Sequence, residues 1–395
     1  MRESQPFSLA KRQLEIDRAR LREFPFLLAH KWARMAVSPL ALLRGSAPLY
    51  YELIATDPLL KDGPSGHGWI VGDAHIENFG AYRVESPGAA STATFDVNDF
   101  DEATLGMWHT DVLRLATSAI LGARSFGITS EEAIGLAKNL LDAWSRAAFD
   151  GARLKEPPPS VARLMRQVQA RTRLQFLTDR TERMSKSRRF VRGERYRNLT
   201  KEIVKSVNHV LTDYQQGLPK SERPDDAQLE LLDAALRIAG TGSLGVLRIA
   251  ALTRGKGGHG GSWIIDIKEQ RNPSAPGDAP KLAPADRVIS AINACLVRPP
   301  RLVGSAKLRD RSMLVRRLAP QEDKLSFRKI ERIELPALAM HLGRLLGRVH
   351  ARGRKGKAAR WSESDHREIL ERAIYLAGVH ESMYLALPTT LSQVR

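Results

Sequence analysis

The chain carries a single cysteine, Cys295, among its 395 residues. That excludes an intramolecular disulfide and any zinc site built from several cysteines. Aromatic residues are sparse at 6%, which weakens any reading as a base-stacking platform for single strands. No apolar run approaches the ~20 residues that a membrane span needs. The opening MRESQPFSLAKRQLEIDRAR is charged and has no apolar centre, so a secretory signal is not expected. The expectation is a cytoplasmic protein with a reduced thiol and no membrane partner.

What is present is an ordinary globular mixture, 43% hydrophobic and 27% charged. A wholly disordered or fibrous chain is excluded. At ~100–200 residues per domain, the length suggests two or three folding units. The net charge of +18 is unevenly spread: residues 1–150 balance at −4 and the remainder at +22. In the densest stretch, residues 163–201, 13 basic residues face only Asp179, Glu182 and Glu194. Such a field attracts polyanions, although a charge run is more often a solvated helical face.

Residues 8–60 read as helices, and 68–100 change character. Gly68-Trp69-Ile70-Val71 and Thr92-Ala93-Thr94-Phe95 are short apolar runs separated by the turn residues Ser86-Pro87-Gly88, a pattern of strands joined by loops. Helix returns over 111–124, with Val112, Leu115, Ala116, Ala119 and Ile120 on one stripe. Pro157-Pro158-Pro159 breaks the chain before a basic region, 160–205, read as helical. A second β-rich part follows: LGVLRIAAL (244–252), a glycine-dense connection (254–262), WIIDIK (263–268) and a further strand from Met313 to Leu318. From Glu334 onward the pattern is helical, with Leu335, Leu338, Leu342, Leu345, Leu346 and Val349 on one face and Pro336 in the first turn. No internal repeat is visible.

Two acidic clusters follow the early strands: GDAHIEN (72–78) and DVNDFDE (96–102). Aspartate and asparagine oxygens suit magnesium, which keeps waters and shares phosphate oxygens. Asp73 followed five residues later by Asn78 has a meaning in phosphoryl transfer, where the Asp accepts the proton of the attacking hydroxyl and the Asn holds a metal. A further Asp on the next strand pair would hold the metal that bridges the phosphates, and Asp99 is the candidate. The competing reading is a set of turn and capping acids. Two features favour the chemical reading. The second cluster lies a hairpin's length away, and Gly106 and Asp111 follow Asp99 at offsets of seven and twelve, leading into a helix.

Gly240-Thr241-Gly242-Ser243-Leu244-Gly245-Val246 is a G-x-G-x-x-G-x-V loop. Its glycines, with Ser243, would let backbone amides approach phosphate. The loop leads into strand-like residues rather than a helix, which favours the glycine-rich hairpin of kinases over a Rossmann turn. Ile265-Asp266-Ile267-Lys268 then ends a strand on lysine, as V-A-I-K does, where an ammonium can neutralise phosphates.

On these residues the catalytic half resembles the aminoglycoside phosphotransferase branch of the kinase-like superfamily: GD-x-H-x-x-N matches 72–78, and the metal segment resembles Asp99 through Leu115. The whole chain resembles the bacterial domain-of-unknown-function family 2252. The similar stretches include SPLALLRG (38–45), VGDAHIENFGAY (71–82), FDVNDFDEATLG (95–106), GTGSLGVLR (240–248), VRRLAPQEDK (315–324) and LGRLLGRVHAR (342–352). The resemblance implies an α+β, protein-kinase-like two-lobed fold, with a mostly helical large lobe and a small antiparallel β lobe. The glycine loop and lysine follow the catalytic Asp instead of preceding it, so the implied lobe order is circularly permuted. The implied division is 1–225 and 321–395 for the large lobe and 226–320 for the small one.

Two departures stand out. Val71 precedes Gly72 where the phosphotransferases carry His. The helix around 285–296 offers Asp286 but no Glu to pair with Lys268, as a kinase helix would. Arg44 is read either as a cleft residue for phosphate or as a packing salt bridge. His75 and His350 are read as structural, Asp111 as an anchor of the Asp73 loop through backbone hydrogen bonds, and Asp101 and Glu102 as solvated acids or metal auxiliaries. The expected function is ATP- and magnesium-dependent phosphoryl transfer to an unidentified hydroxyl acceptor. Asp73 would be catalytic, Asn78 and Asp99 would hold metal, and Gly240, Gly242, Ser243, Gly245 and Lys268 would hold the nucleotide. Nucleotidyl transfer or non-catalytic nucleotide binding is the alternative, and polyanion binding through 163–201 is a third.

Overall fold

The computed structural model describes residues 4–84, 92–185, 187–242, 244–278, 280–319 and 322–393. Ser243 and the Ser86-Pro87-Gly88 turn lie outside the described residues. Helices α1 (Gln5–Arg20), α2 (Leu28–Met35), α3 (Pro39–Gly45) and α4 (Ala47–Thr56) open the chain. Proline sits in the first turn of α1, α3 and α4, where its missing N–H has no helical partner to lose.

Four short strands come next: β1 (His67–Ile70), β2 (Phe79–Arg83), β3 (Ala93–Val97) and β4 (Thr104–Met107). β1 pairs with β4 and β2 with β3, both antiparallel. Helices α5 (Trp108–Arg124), α6 (Ser130–Phe149) and α7 (Pro159–Ala170) follow. The apolar stripe predicted over 111–124 is buried, but so is every residue of α5 from Trp108 to Ala123. α5 packs against α6 and, later in the chain, α10 (Leu335–Gly353) and α11 (Glu363–Gln393). Its polar side therefore faces protein rather than water.

The basic stretch meets the helical expectation only in part: α7, a short helix at Arg173–Thr178 and the start of a helix at Lys201 fit it, and the segment between does not. After α7 come β5 (Thr181–Arg183) and β6 (Arg188–Phe190), which form an antiparallel hairpin, and then β7 (Tyr196–Arg197). Charge hides the strand signal there, because the apolar positions are few. Phe190 and Tyr196 are buried with rings 4.5 Å apart, and Arg188 is buried while donating to Thr181 Oγ1 at 2.7 Å. Several of these arginines already have local acids: Arg189 meets Glu182 and Arg192 meets Asp233.

Helix α8 (Lys201–Gly217) leads into β8 (Leu231–Arg237), β9 (Arg248–Thr253) and β10 (Trp263–Gln270). After helix α9 (Pro284–Cys295), β11 (Val303–Leu308) and β12 (Arg311–Leu318) complete an antiparallel sheet of order β11-β12-β10-β9-β8-β7. The β8–β9 hairpin carries the glycine-rich segment, and β9 and β10 pair across the glycine-dense connection, as the pattern predicts. One face of this sheet is apolar. Ile249, Ala251, Ile265, Ile267, Met313 and Val315 pack against Val207, Val210, Leu211 and Tyr214 of α8. The sheet unit thus begins ahead of residue 226, because β7 and α8 belong to it. Strand alternation sends Arg248, Asp266, Lys268 and Arg316 to the opposite face.

The chain then crosses back. β13 (Glu322–Lys324) pairs with β2, placing Lys324 opposite Gly80. The predicted apolar face of α10 is buried throughout. The architecture is α+β: a helical body holding two small β-ribbons, and a twisted antiparallel sheet beside it. No helix among the described residues is long and apolar enough to cross a membrane.

Candidate active site

The site is built on the buried polar side of α5. Asp111, Arg114 and Ser118 recur at offsets of three and four, so they share one helical face. Asp111 accepts hydrogen bonds from the backbone N–H groups of Val71 (2.6 Å) and Gly72 (2.9 Å). It also meets His350 Nε2 at 3.1 Å. His350 Nδ1 accepts from Trp144 Nε1 at 3.0 Å, so a neutral His350 carries its proton toward Asp111. Ser118 Oγ accepts from the Ile76 N–H. One helix face therefore holds the loop after β1 at three points, which makes Asp111 the anchor the sequence implied.

Gly72 adopts φ +76°, and a Cβ there would lie 2.0 Å from the Glu102 carbonyl oxygen. Only glycine tolerates both demands. Gly72→Ala is expected to destabilise the fold by ~2–4 kcal/mol and to displace the two acidic loops from each other, readable by denaturant titration.

Asp73 Oδ1 accepts from Arg114 Nε at 2.9 Å and Nη2 at 2.5 Å. Arg114 is fully buried, lies 4.6 Å over the Tyr50 ring and also donates to the Leu43 carbonyl. Asp73 Oδ2 is turned the other way, 3.8 Å from His75 Nε2. His75 Nδ1 accepts from the Glu77 N–H at 3.2 Å. Burial, then Arg44 and Arg114, hold the His75 pKa well below normal, so the ring is neutral and its proton sits on Nε2, facing Asp73. Burial raises the Asp73 pKa, and the Arg114 charge opposes that rise.

Asn78 ties the two acidic loops together. Its Nδ2 donates to the Asp73 and Asp99 carbonyls, 3.1 Å each. Its Oδ1 is buried with no hydrogen-bond partner among the described residues, an expensive state for an acceptor until a donor, a water or a cation takes it. Burial would push Asp99 up, but Lys324, Lys268 and Arg316 outweigh it and hold its carboxylate below the usual range. Lys324 Nζ stands 3.2 Å from Asp99 Oδ2. No set of three or more His, Cys, Asp or Glu among the described residues is arranged to hold a metal. One orphaned amide oxygen and one ionised carboxylate nevertheless fit magnesium, which draws its remaining ligands from water and phosphate.

Lys268 reaches this loop from the sheet. Its ammonium pairs with Asp101, whose other oxygen accepts from Gln270 at 3.0 Å. Burial lowers the Lys268 pKa to about 8, partly offset by Asp99. The sought helix acid has a different job: Asp286 accepts from Ser305 at 2.5 Å. Helix α9 instead sends buried Arg287 to the carbonyls of Asp101 (2.8 Å), Ala103 and Arg271 (3.0 Å). The partner of Lys268 thus comes from the Asp99 loop and not from the helix.

The glycine-rich segment closes over Asp73. A Cβ on Gly242 would lie 3.6 Å from the Arg44 carbonyl and 4.0 Å from Asp73 Oδ2. Gly240 and Gly245 take φ +78° and +104°. The segment is held from outside by the N-terminal helices: Arg34 donates to the Gly240 carbonyl, and Leu21 and Leu27 pack on Ile238 and Leu244. Arg44 pairs with Glu77, as the salt-bridge reading has it, and its side chain also lines the cleft.

Every described residue assigned to the site by sequence, Asp73, Asn78, Asp99, Gly240, Gly242, Gly245 and Lys268, lines one cavity of about 430 Å³. The sequence reading missed Arg114, Lys324, Arg287 and the pairing role of Asp101. The first had a signal: its spacing from Asp111 and Ser118 along a helix that already carried an apolar stripe. The others act across sequence separations that no local pattern reports.

The profile of DUF2252, described as an uncharacterized protein conserved in bacteria, matches residues 22–381. The chain belongs to that family. The match takes in both acidic loops, the glycine-rich hairpin, Lys268 and Lys324, so every residue lining the cavity except Arg20 lies within the matched span. No curated protein and no solved structure matches the chain.

Proposed function

We propose that the protein is an ATP- and magnesium-dependent phosphotransferase with a kinase-like build and permuted lobe order. The observation that carries this reading is the convergence of Asp73, Asn78 and Asp99 with Lys268 and the glycine hairpin, more than 130 residues later in the chain, on one cavity. Lys268 lies on the third strand counted from the one that enters the glycine loop, as the V-A-I-K lysine does. The connectivity also supports the reading. At the end of α10, the Lys355 N–H donates to the His67 carbonyl at 2.9 Å, and Arg354 bridges Gly68. A chain joined at that point would run glycine loop, lysine, α10, Asp73, Asp99, which is the ordinary kinase order.

The residues divide the work as follows. Arg114 fixes Asp73 through Oδ1 and leaves Oδ2 to accept the proton of an acceptor hydroxyl. Burial raises the proton affinity of Asp73, as a general base requires. Neutral His75 orients Oδ2 without adding charge. Asn78 Oδ1 and Asp99 would hold Mg²⁺, which neutralises phosphate charge when bound. Lys268, released from Asp101, pairs with phosphate oxygens, and the loop at 240–245 covers them. ATP labelled at the α or γ position tests the chemistry: γ-label on an acceptor is expected, α-label would mean nucleotidyl transfer, and neither would leave a binding protein.

The pKa of Lys268 carries a further prediction. Triphosphate binding favours the ammonium form, so binding above pH 8 must bring a proton in. At pH 9, ATP binding is expected to take up close to ~1 proton, with affinity falling ~10-fold per further pH unit. Calorimetry in two buffers of different ionisation enthalpy measures this, and a proton uptake of zero would remove Lys268 from the phosphates.

A further inference from the structure

The cavity-facing side of the six-stranded sheet is charged where V-A-I-K places a small apolar residue, two positions before the lysine. Here that position is Asp266. Arg237 Nη1 (2.6 Å) and Arg248 Nε (2.9 Å) donate to its Oδ1, and Arg248 Nη2 (2.6 Å) donates to Oδ2. Arg316 Nε stands 3.8 Å from Oδ2, while its Nη1 reaches Glu322 at 3.1 Å. Arg180 joins from the β5 side. Its guanidinium lies 4.0 Å over the Phe176 ring, and its acid neighbour is the solvent-facing Asp179 at 3.8 Å. All four arginines line the cavity.

The charges do not balance. On the cavity side four guanidinium groups face two carboxylates, buried Asp266 and half-buried Glu322; with Asp179 turned out to solvent, the cavity side carries an excess of two positive charges. The neighbouring pairs, Lys268 with Asp101 and Lys324 with Asp99, are already neutral. Enclosed like charges of this kind are unfavourable until a counter-charge arrives. The planar, forked donors of arginine match phosphate oxygens in geometry.

We propose that Arg180, Arg237, Arg248 and Arg316 form a second anion subsite that takes a phosphate monoester, whose two charges match the excess. Asp266 and Lys268 are two residues apart on β10, so the subsite lies ~7 Å from the lysine. One ligand with phosphates at both ends can span the two positions, or two ligands can share the cavity. The inference does not rest on the phosphotransferase reading, since the arginines would bind phosphate whatever chemistry follows.

Calorimetry with three probes tests it: ATP, ATP bearing an additional 3′-phosphate, and inorganic phosphate added to ATP-saturated protein. A tighter fit of the 3′-phosphorylated nucleotide, by about tenfold, assigns the subsite to the donor. Uptake of inorganic phosphate beside ATP assigns it to a phosphorylated acceptor. In either case the gain is lost in Arg237→Gln and in Arg180→Gln. Arg180→Gln breaks no carboxylate pair inside the sheet, so it reports even if Arg237→Gln fails to fold. No phosphate gain by either route overturns the proposal, as does a gain that persists in Arg180→Gln. Phosphate uptake that survives in Lys268→Ala while ATP fails to bind the wild type supports the subsite and counts against the phosphotransferase reading alone.

Discussion

Lys268→Ala and Asp99→Ala are each expected to lower phosphoryl transfer on the order of 10²–10³-fold, because charge placed where phosphate charge develops supplies most of this chemistry. The two should fail differently. On the proposed reading Lys268→Ala would remove a phosphate contact and is expected to weaken nucleotide binding even without metal. On the same reading Asp99→Ala would remove a metal oxygen, and its loss is expected to show as a raised magnesium requirement. A control separates this from simple loss of an ion pair. Asp99 meets Lys324 at 3.2 Å, and Lys324→Ala breaks that pair while leaving the carboxylate in place. If Asp99 matters only through the pair, the two variants will behave alike. Wild-type turnover and wild-type ATP binding in both Lys268→Ala and Asp99→Ala would sink the assignment.

The second large effect is structural. Asp111→Ala is expected to cost ~3–5 kcal/mol of stability, since it strands two backbone N–H groups and His350 in a fully buried place. Urea or guanidinium titration of both proteins reads the difference directly. Asp111→Asn is the informative companion. Its oxygen can serve one backbone donor, but its NH₂ faces another, so it should recover only part of the loss. A variant as stable as wild type would mean that the loop after β1 is held by its own turn chemistry.

The local patterns were legible in the sequence because the physics behind them is local. The apolar face of α10 follows from helical period, the β8–β9 and β9–β10 hairpins from glycine between apolar runs, and the Asp73–Asn78 spacing from the chemistry of one loop. The basic stretch was not legible. Its strands contain so few apolar residues that Phe190 and Tyr196 alone mark the buried side, and charge suggested a helix. Lys268 illustrates a different limit. A helix acid was sought for it over 285–296, and the pairing is made instead by Asp101, 167 residues earlier. Only the closing of the two units on each other brings those groups together. Arg114 lay between these cases: its helical register with Asp111 was visible, but the burial of that face was not, because it depends on α10 and α11 packing from the far end of the chain.

The double grip on Asn78 restricts what that position can be. Aspartate has the same shape and is the stronger cation ligand, yet it would set a carboxylate oxygen against two carbonyl oxygens that now receive N–H bonds. The loops carrying Asp73 and Asp99 would then repel the residue that staples them. The amide is wanted for its nitrogen as much as for its oxygen, and a gain in cation affinity by acid replacement would be spent in spreading the two loops apart.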